Sequence, residues 1–387
     1  MLSLDSLDDF RSLVRRFVVG EIDPFVDTWE AAGIFPAHSL LKKMGALGLL
    51  GIGYDPTYGG QGLDIRHDLV FLEELGRAKS AGVTLGITVQ THMATPALHR
   101  HGSAALKEEY LRPAIAGELV GAIGVTEPGA GSDVYALRTR AIRDGDFYRI
   151  SGAKMFITNG TQADFMTTLV QTSDGPSHDR YSLLIVPTRL PGVTISAPLR
   201  KLGMRASDTA EIVFDRVAVP ISNRIGEEGA GFRYQMEQFQ IERFAGSVTC
   251  LTACDEMLRD TIGYVRQRIV FGKPLINKQV IRHRLVDLLT EIECCRQLLY
   301  SCAERIMQRC DALREVSMAK LKIGQLARQV GDECLQMHGG YGYMEEYRVS
   351  RFFRDMRLTS IGGGADEVMR EIIAKISGLA GATRDND

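Results

Sequence analysis

The sequence has no long block of like charge, no apolar run long enough to cross a bilayer and no cysteine before position 250. Its 46 basic and 48 acidic residues are interspersed and sum to a formal charge of -2, which argues against a dedicated nucleic-acid surface. No stretch approaches the roughly 18 apolar residues that a membrane-crossing helix needs. The opening segment, Met1 to Arg16, mixes acids with apolar residues and fits neither a secretory leader nor an Arg-rich transit segment. The cysteines Cys250, Cys254, Cys294, Cys295, Cys302, Cys310 and Cys334 lie in helically patterned segments without the spacing of a disulfide framework, so reduced thiols are expected. A cytoplasmic protein is the plain expectation, with a mature organellar form left open. Internal repeats are missing, and the only biased segment is the tail from Ala382 to Asp387, where disorder is expected.

What is present is an ordinary globular composition, 45% hydrophobic and 24% charged. A chain of 387 residues exceeds a single core, so two or three subdomains are expected. From Leu4 to Glu118 apolar residues recur at helical intervals, as in Phe10, Leu13, Val14 and Phe17, and the turn-rich stretch Gly51 to Gly62 interrupts them. Short β-rich runs follow at Phe147 to Ile150, Tyr181 to Val186, Val193 to Ile195 and Glu211 to Phe214, each bounded by Gly, Pro or Asp. After Gly231 helical patterning returns. Ile241, Phe244, Val248, Leu251, Met257 or Leu258, Ile262 and Val265 mark one buried stripe, and four or five helices run to the end. The expected fold class is α+β multidomain, with a helical domain over 1–118, a β-domain over 119–226 and a helical bundle over 227–387.

The segment Val125 to Asp133 carries the most chemistry. Two glycines in a polar loop bare backbone N–H groups, and Thr126 and Ser132 add hydroxyls, so a pyrophosphate or a flavin edge fits there as well as a plain turn does. Neither a dinucleotide fingerprint nor a Walker loop is present. His92, His99 and His101 are close in sequence but have no Cys or carboxylate ligand pattern beside them, so no metal site is expected.

Thr126 to Asp133 resembles the signature of the acyl-CoA dehydrogenase family. Further matches follow in the family's order: Lys154 to Gly160, Leu202 to Thr209, Arg268 to Lys273 with Gln279, and Gln336 to Tyr343 with Arg354-Asp355. The resemblance spans nearly the whole chain. It implies a helical domain, a central β-barrel-like domain and a C-terminal four-helix bundle, assembled as a homotetramer or homodimer with FAD between subunits. Flavin contacts carry over to Val125, Thr126, Gly131, Ser132, Phe156, Ile157 and Thr158, with Thr158 near flavin N5 and Phe156 against the ring system. Contacts to a neighbouring subunit's FAD carry over to Arg268, Phe271, Gln279, Gln336, Gly339 and Gly340. Arg268 suits a diphosphate because its planar fork bonds two oxygens, although a solvated helix face is the alternative. The implied activity is α,β-dehydrogenation of an acyl thioester, on coenzyme A or a carrier-protein arm, with an electron-transfer flavoprotein as electron acceptor. A same-fold flavin oxidase or N-hydroxylase, and a non-catalytic FAD-binding homologue, stay open as alternatives.

Most family members place the catalytic glutamate just before the last bundle helix. Here that stretch is Ile361-Gly362-Gly363-Gly364-Ala365-Asp366-Glu367, and Gly363 occupies the glutamate position. Isovaleryl-type and long-chain-type members take the base from a bundle helix instead, where a glutamate precedes an arginine, and Glu242-Arg243 matches that pattern. Glu242 is therefore the candidate base, with Phe239, Ile241 and Phe244 expected to dry its surroundings. Ser132, Arg243 and Gly363 are expected to line the substrate site, and the missing side chains at Gly362 and Gly363 to widen the acyl pocket for a branched or long chain. Ala365 and Glu367 carry over to the cofactor side, with Asp366 and Glu367 alternatively capping the last helix. His338, beside Gly339-Gly340, is expected to be structural or on the cofactor side.

Overall fold

The computed structural model describes residues 6–176 and 179–379. Leu4 and the tail expected to be disordered lie outside them. The chain opens with helices α1 (Leu7–Phe17), α2 (Val26–Ala32), α3 (Ala37–Ala46), α4 (Ile65–Gly76), α5 (Ala81–Thr88) and α6 (Pro96–His101), then two short helices, α7 (Ala104–Leu106) and α8 (Arg112–Ile115). Helix α1 shows why such segments fold locally. The Ser6 side chain accepts a bond from the Asp9 N–H, acids fill the first turn and Arg15 and Arg16 the last, and Phe10, Val14 and Phe17 bury one face. The expected turn-rich stretch holds only a single 3-10 turn, Pro56–Tyr58.

The middle of the chain forms an eight-stranded sheet from β1 (Gly121–Gly124), β2 (Arg140–Asp144), β3 (Phe147–Thr158), β4 (Phe165–Gln171), β5 (Tyr181–Pro187), β6 (Val193–Ile195), β7 (Thr209–Pro220) and β8 (Arg224–Ile225). Strand order is β6-β7-β3-β2-β4-β5-β8, with β1 pairing β4 in parallel. All four strand segments expected from sequence are strands; β1, β2, β4 and β8 go beyond that expectation. Strands β4 and β5 are buried on both faces. Phe165, Leu169, Tyr181, Leu183 and Ile185 join the core shared with α6, α7 and α8, while Met166, Val170, Leu184 and Val186 join the core inside the sheet.

The C-terminal part holds α9 (Gly231–Gln267), a small hairpin of β9 (Ile269–Val270) with β10 (Lys273–Pro274), then α10 (Gln279–Met307), α11 (Leu313–His338), α12 (Arg348–Met356) and α13 (Asp366–Ile376). At 37 residues α9 is about 55 Å long, enough to run from the sheet through the bundle core. Its expected stripe is buried at Phe244, Val248, Leu251, Met257, Leu258 and Val265, with Ile241 and Ile262 half-buried. Cys250, Cys254, Cys295, Cys302 and Cys334 are buried, and all seven thiols are free. None of the helices among the described residues is long and apolar enough to cross a membrane.

Two close approaches fix α9 in place. A Cβ on Gly231 would sit 2.4 Å from the Ser182 carbonyl carbon of β5, and one on Gly76 would sit 2.7 Å from the Thr249 carbonyl oxygen. Glycine at these positions lets α9 touch β5 at its start and α4 near its middle. Gly231→Ala should therefore cost about 1–3 kcal/mol through overpacking. Denaturant unfolding checks this, and unchanged stability would show that the contact yields easily.

Candidate active site

Helix α9 turns one polar strip inward. Gln235, Gln238 and Glu242 are spaced at three and four residues, so they share a face, and all three are buried. The Gln238 amide has one orientation available to it. Its Oε1 accepts from the Ala97 N–H at 3.0 Å, which aims its Nε2 at the Met93 carbonyl and, at 3.0 Å, at Glu242 Oε1. Gln235 Nε2 adds a longer contact to the same oxygen at 3.4 Å. A π-turn, Val89–Ala94, continues α5 and brings Met93 to this point. Burial pushes the Glu242 carboxyl up to about 7, against the pull of Gln238, Arg243, Gln235 and His92.

The expected source of that burial needs correction. Phe239 lines the cavity and lies 5.6 Å beneath the Arg243 guanidinium, Phe244 faces the bundle core and Ile241 is only half-buried. The groups that touch the carboxylate are two side-chain amides. Arg243 makes no ion pair with Glu242 among the described residues; its Nε donates to the Gly363 carbonyl at 3.2 Å.

Opposite α9, the loop from Val125 to Ser132 is fastened to β3. Lys154 is fully buried and donates to the Val125 carbonyl at 3.0 Å and to Glu127 Oε1 at 2.8 Å, while Met155 N–H bonds the Thr126 carbonyl at 2.8 Å. Glu127 also accepts from the N–H groups of Arg138 and Thr139. These partners, Lys154 foremost, hold its carboxyl below the ordinary value despite burial. Just beyond, the β3/β7 register shifts between Lys154 and Ile157. The shift throws Phe156 into a left-handed conformation, φ 62°, and leaves the residue 65% exposed. A strained, exposed aromatic on a buried sheet is a feature that the surrounding structure must enforce.

Between loop, sheet and helices lies a cavity of about 860 Å³. Residues singled out from sequence line it together: Val125, Thr126, Gly131 and Ser132 from the loop; Phe156, Ile157 and Thr158 from β3; Phe239, Glu242 and Arg243 from α9; Gly362, Gly363 and Ala365 from the turn before α13. A second cavity, about 490 Å³, collects Arg268, Gly339 and Gly340 with Tyr264 and Tyr341. Phe271, Gln279 and Gln336 line neither and are exposed, Phe271 to 95%. Glu367 is also exposed and lies 3.5 Å from Arg370, and α13 is capped by neither acid, since Ala365 holds the N-cap position. Asp366 instead meets Arg328 at 3.3 Å. His338 donates from Nδ1 to the Cys334 carbonyl and stacks on Tyr264. His92, His99 and His101 go separate ways, to Asp68, to the Asp55 N–H and to Glu237. Gln235, Gln238 and Lys320 join the site without having been singled out from sequence; the 235/238/242 spacing is the available signal for the first two.

The residues present fit FAD. An exposed ring at Phe156, hydroxyls at Thr126, Ser132 and Thr158, and a Gly131 with no atom within 4 Å of a notional Cβ offer a flat group stacking, hydrogen bonds and close backbone approach. A helical, β and helical arrangement whose cavity is lined by these groups and by a buried carboxyl is what a flavin-dependent oxidoreductase requires. Three models of one family match along the chain: the acyl-CoA dehydrogenase N-terminal domain over 5–118, middle domain over 122–217 and C-terminal domain over 229–378. The long-chain specific acyl-CoA dehydrogenase of rat mitochondria is 37% identical over 95% of this chain and 85% of its own length. A crystal structure of acyl-CoA dehydrogenase from Geobacillus kaustophilus superposes with a TM-score of 0.94 at 39% identity, covering 97% of this chain and 98% of that one. An FAD complex of PigA superposes at 0.93 with 28% identity, covering 97% and 98%. The chain belongs to the acyl-CoA dehydrogenase family, whose members are FAD-dependent.

Removing one partner of the Lys154–Glu127 pair strands a buried charge. Lys154→Met should lower stability by about 3–5 kcal/mol, and adding Glu127→Gln should recover part of the loss. A double-mutant cycle in urea checks this; independent, additive losses would mean that the pair does not hold the loop to β3.

Proposed function

We propose that this protein dehydrogenates an acyl-CoA between its α- and β-carbons, with Glu242 as the base that removes the α-proton. The observation that carries the reading is a buried carboxyl whose proton affinity is raised, lining the same cavity as the Phe156–Thr158 segment. FAD, when bound, supplies the two-electron acceptor for the hydrogen leaving the β-carbon. The α-proton passes to a Glu242 oxygen, and the double bond forms between the two carbons, giving the trans-2-enoyl thioester. Gln238 keeps the carboxylate aimed, since its own amide is pinned by Ala97 and Met93. A base held near neutrality suits this step, being ionised often enough to act yet strong enough to take a proton from carbon.

Gly363 has open space around a notional Cβ, so the position where most relatives are expected to carry the base is vacant volume here. That volume, with Gly362, Gly246, Thr84, Leu85 and Thr88 on the same cavity, supports a branched or long acyl chain. The exposed Phe271, Gln279 and Gln336, outside both cavities, support an assembly in which a second copy brings them to its neighbour's FAD, as a homotetramer or homodimer. The electron acceptor is taken to be an electron-transfer flavoprotein on family grounds, and seven free thiols fit a cytoplasmic setting.

Anaerobic titration of the holoenzyme with straight and branched acyl-CoA thioesters tests the reading. Wild type should lose its flavin band, most readily with long or branched chains, whereas Glu242→Gln should bind the same ligands and stay oxidised, with turnover down at least about 1000-fold. Normal bleaching by Glu242→Gln sinks the base assignment, and strict preference for short straight chains sinks the pocket assignment. Because the base must be ionised, kcat/KM should rise with pH through about 7, the value to which burial moves Glu242. A profile flat from pH 5 to 8 would contradict this.

A further inference from the structure

The turn of three glycines before α13 is held by two cations from two different helices. Arg243 Nε, on α9, donates to the Gly363 carbonyl at 3.2 Å, and Lys320 Nζ, on α11, donates to the next carbonyl, that of Gly364. Both glycines have left-handed backbones, φ 65° and 97°, so their carbonyls turn inward together. Lys320 is buried and lines the same cavity as Glu242. Nothing in the reaction calls for a lysine there, and a buried ammonium bound to a backbone carbonyl needs a reason.

We propose that Lys320 is a positioning residue: by anchoring the Gly364 carbonyl it fixes the 362–364 turn, whose Gly363 carbonyl in turn holds the Arg243 guanidinium away from the Glu242 carboxyl. The need for such a tether follows from the chemistry. Arg243 is the next residue on α9, Glu242 attracts its charge, and a guanidinium drawn closer to the carboxylate would weaken the base. Few charged or titratable groups face Glu242, Arg243 and Lys320. Arg243 and His92 face Glu242; Glu242 and Lys320 face Arg243; Asp366 and Glu367 of α13, Arg243 and Cys250 face Lys320. Lys320 and the guanidinium repel one another, so it is the Gly363 carbonyl that keeps Arg243 at the turn against that repulsion.

The test separates this from a simple charge effect by its sign. Deleting a nearby cation raises a carboxyl's proton affinity, whereas releasing Arg243 onto Glu242 lowers it. In Lys320→Met the titration of Glu242, followed in the holoenzyme as the protonated-carboxyl infrared band that Glu242→Gln lacks, should move down by about one pH unit or more. The acid limb of kcat/KM should move with it, and Lys320→Arg should restore both. Adding Arg243→Ala to Lys320→Met should abolish the downward movement. An unmoved or upward-moving band overturns the proposal. Should Lys320→Met not accumulate folded, Lys320→Gln, polar but shorter, reads the same direction. The inference rests on Glu242 being the base only for its kinetic arm: an active Glu242→Gln enzyme sinks the base assignment, while the infrared band reports on the tether regardless.

Discussion

A carboxyl group taken out of water and kept there by two amides is the constraint to which the rest of the fold answers. Burying Glu242 disfavours its charge, and the cost is tolerable because the group is left able to hold a proton near neutrality. That balance depends on α9 not moving. The helix is fixed by glycine contacts with β5 and α4 and by the apolar stripe that it sinks into the bundle core. Facing it, Lys154 and Glu127 fasten the loop that carries Thr126 and Ser132, and a register shift in β3 aims Phe156 at the same space. Sheet and bundle thus each contribute one wall, and neither wall is useful without the other.

Positive charge is distributed with equal care. Arg243 sits one residue from the carboxyl yet spends its Nε on a backbone carbonyl, and Lys320 holds the carbonyl after it. The glycine turn therefore has two physical roles. It leaves open volume where a side chain would otherwise stand, and its left-handed backbone presents two adjacent oxygens as anchors for cations. Loss of a side chain at Gly363 and retention of a buried carboxyl at Glu242 are two sides of one arrangement.

Much of this is legible in the sequence, for reasons that particular residues make plain. Tyr181 to Val186 is a largely apolar run bounded by polar residues and Pro187, and it reads as a strand. Strand β4 is harder to see because Thr167 and Thr168 break its pattern while bonding inward, Thr167 to the Ala94 carbonyl. Strand β2 is hidden because four of its five residues are exposed, so no buried face marks it. The stripe on α9 is visible by its period. The polar strip beside it is not, because glutamines at 235 and 238 look like solvated helix positions until both faces of α9 are known to be covered. Lys320 is invisible for the same reason. Glu242 is reached only through the resemblance, since a Glu-Arg step on a helix is ordinarily a surface feature.

The central claim is that the Glu242 oxygen itself receives the α-proton. The most direct measurement is exchange of that hydrogen with D2O in the holoenzyme, using a bound acyl-CoA whose β-carbon is replaced by sulfur so that oxidation cannot follow. Mass spectrometry should find deuterium at the α-carbon with wild type and none above background with Glu242→Gln, at equal ligand occupancy. Exchange at the wild-type rate in the variant would mean that another group takes the proton, and the account of this site would have to be rebuilt around it.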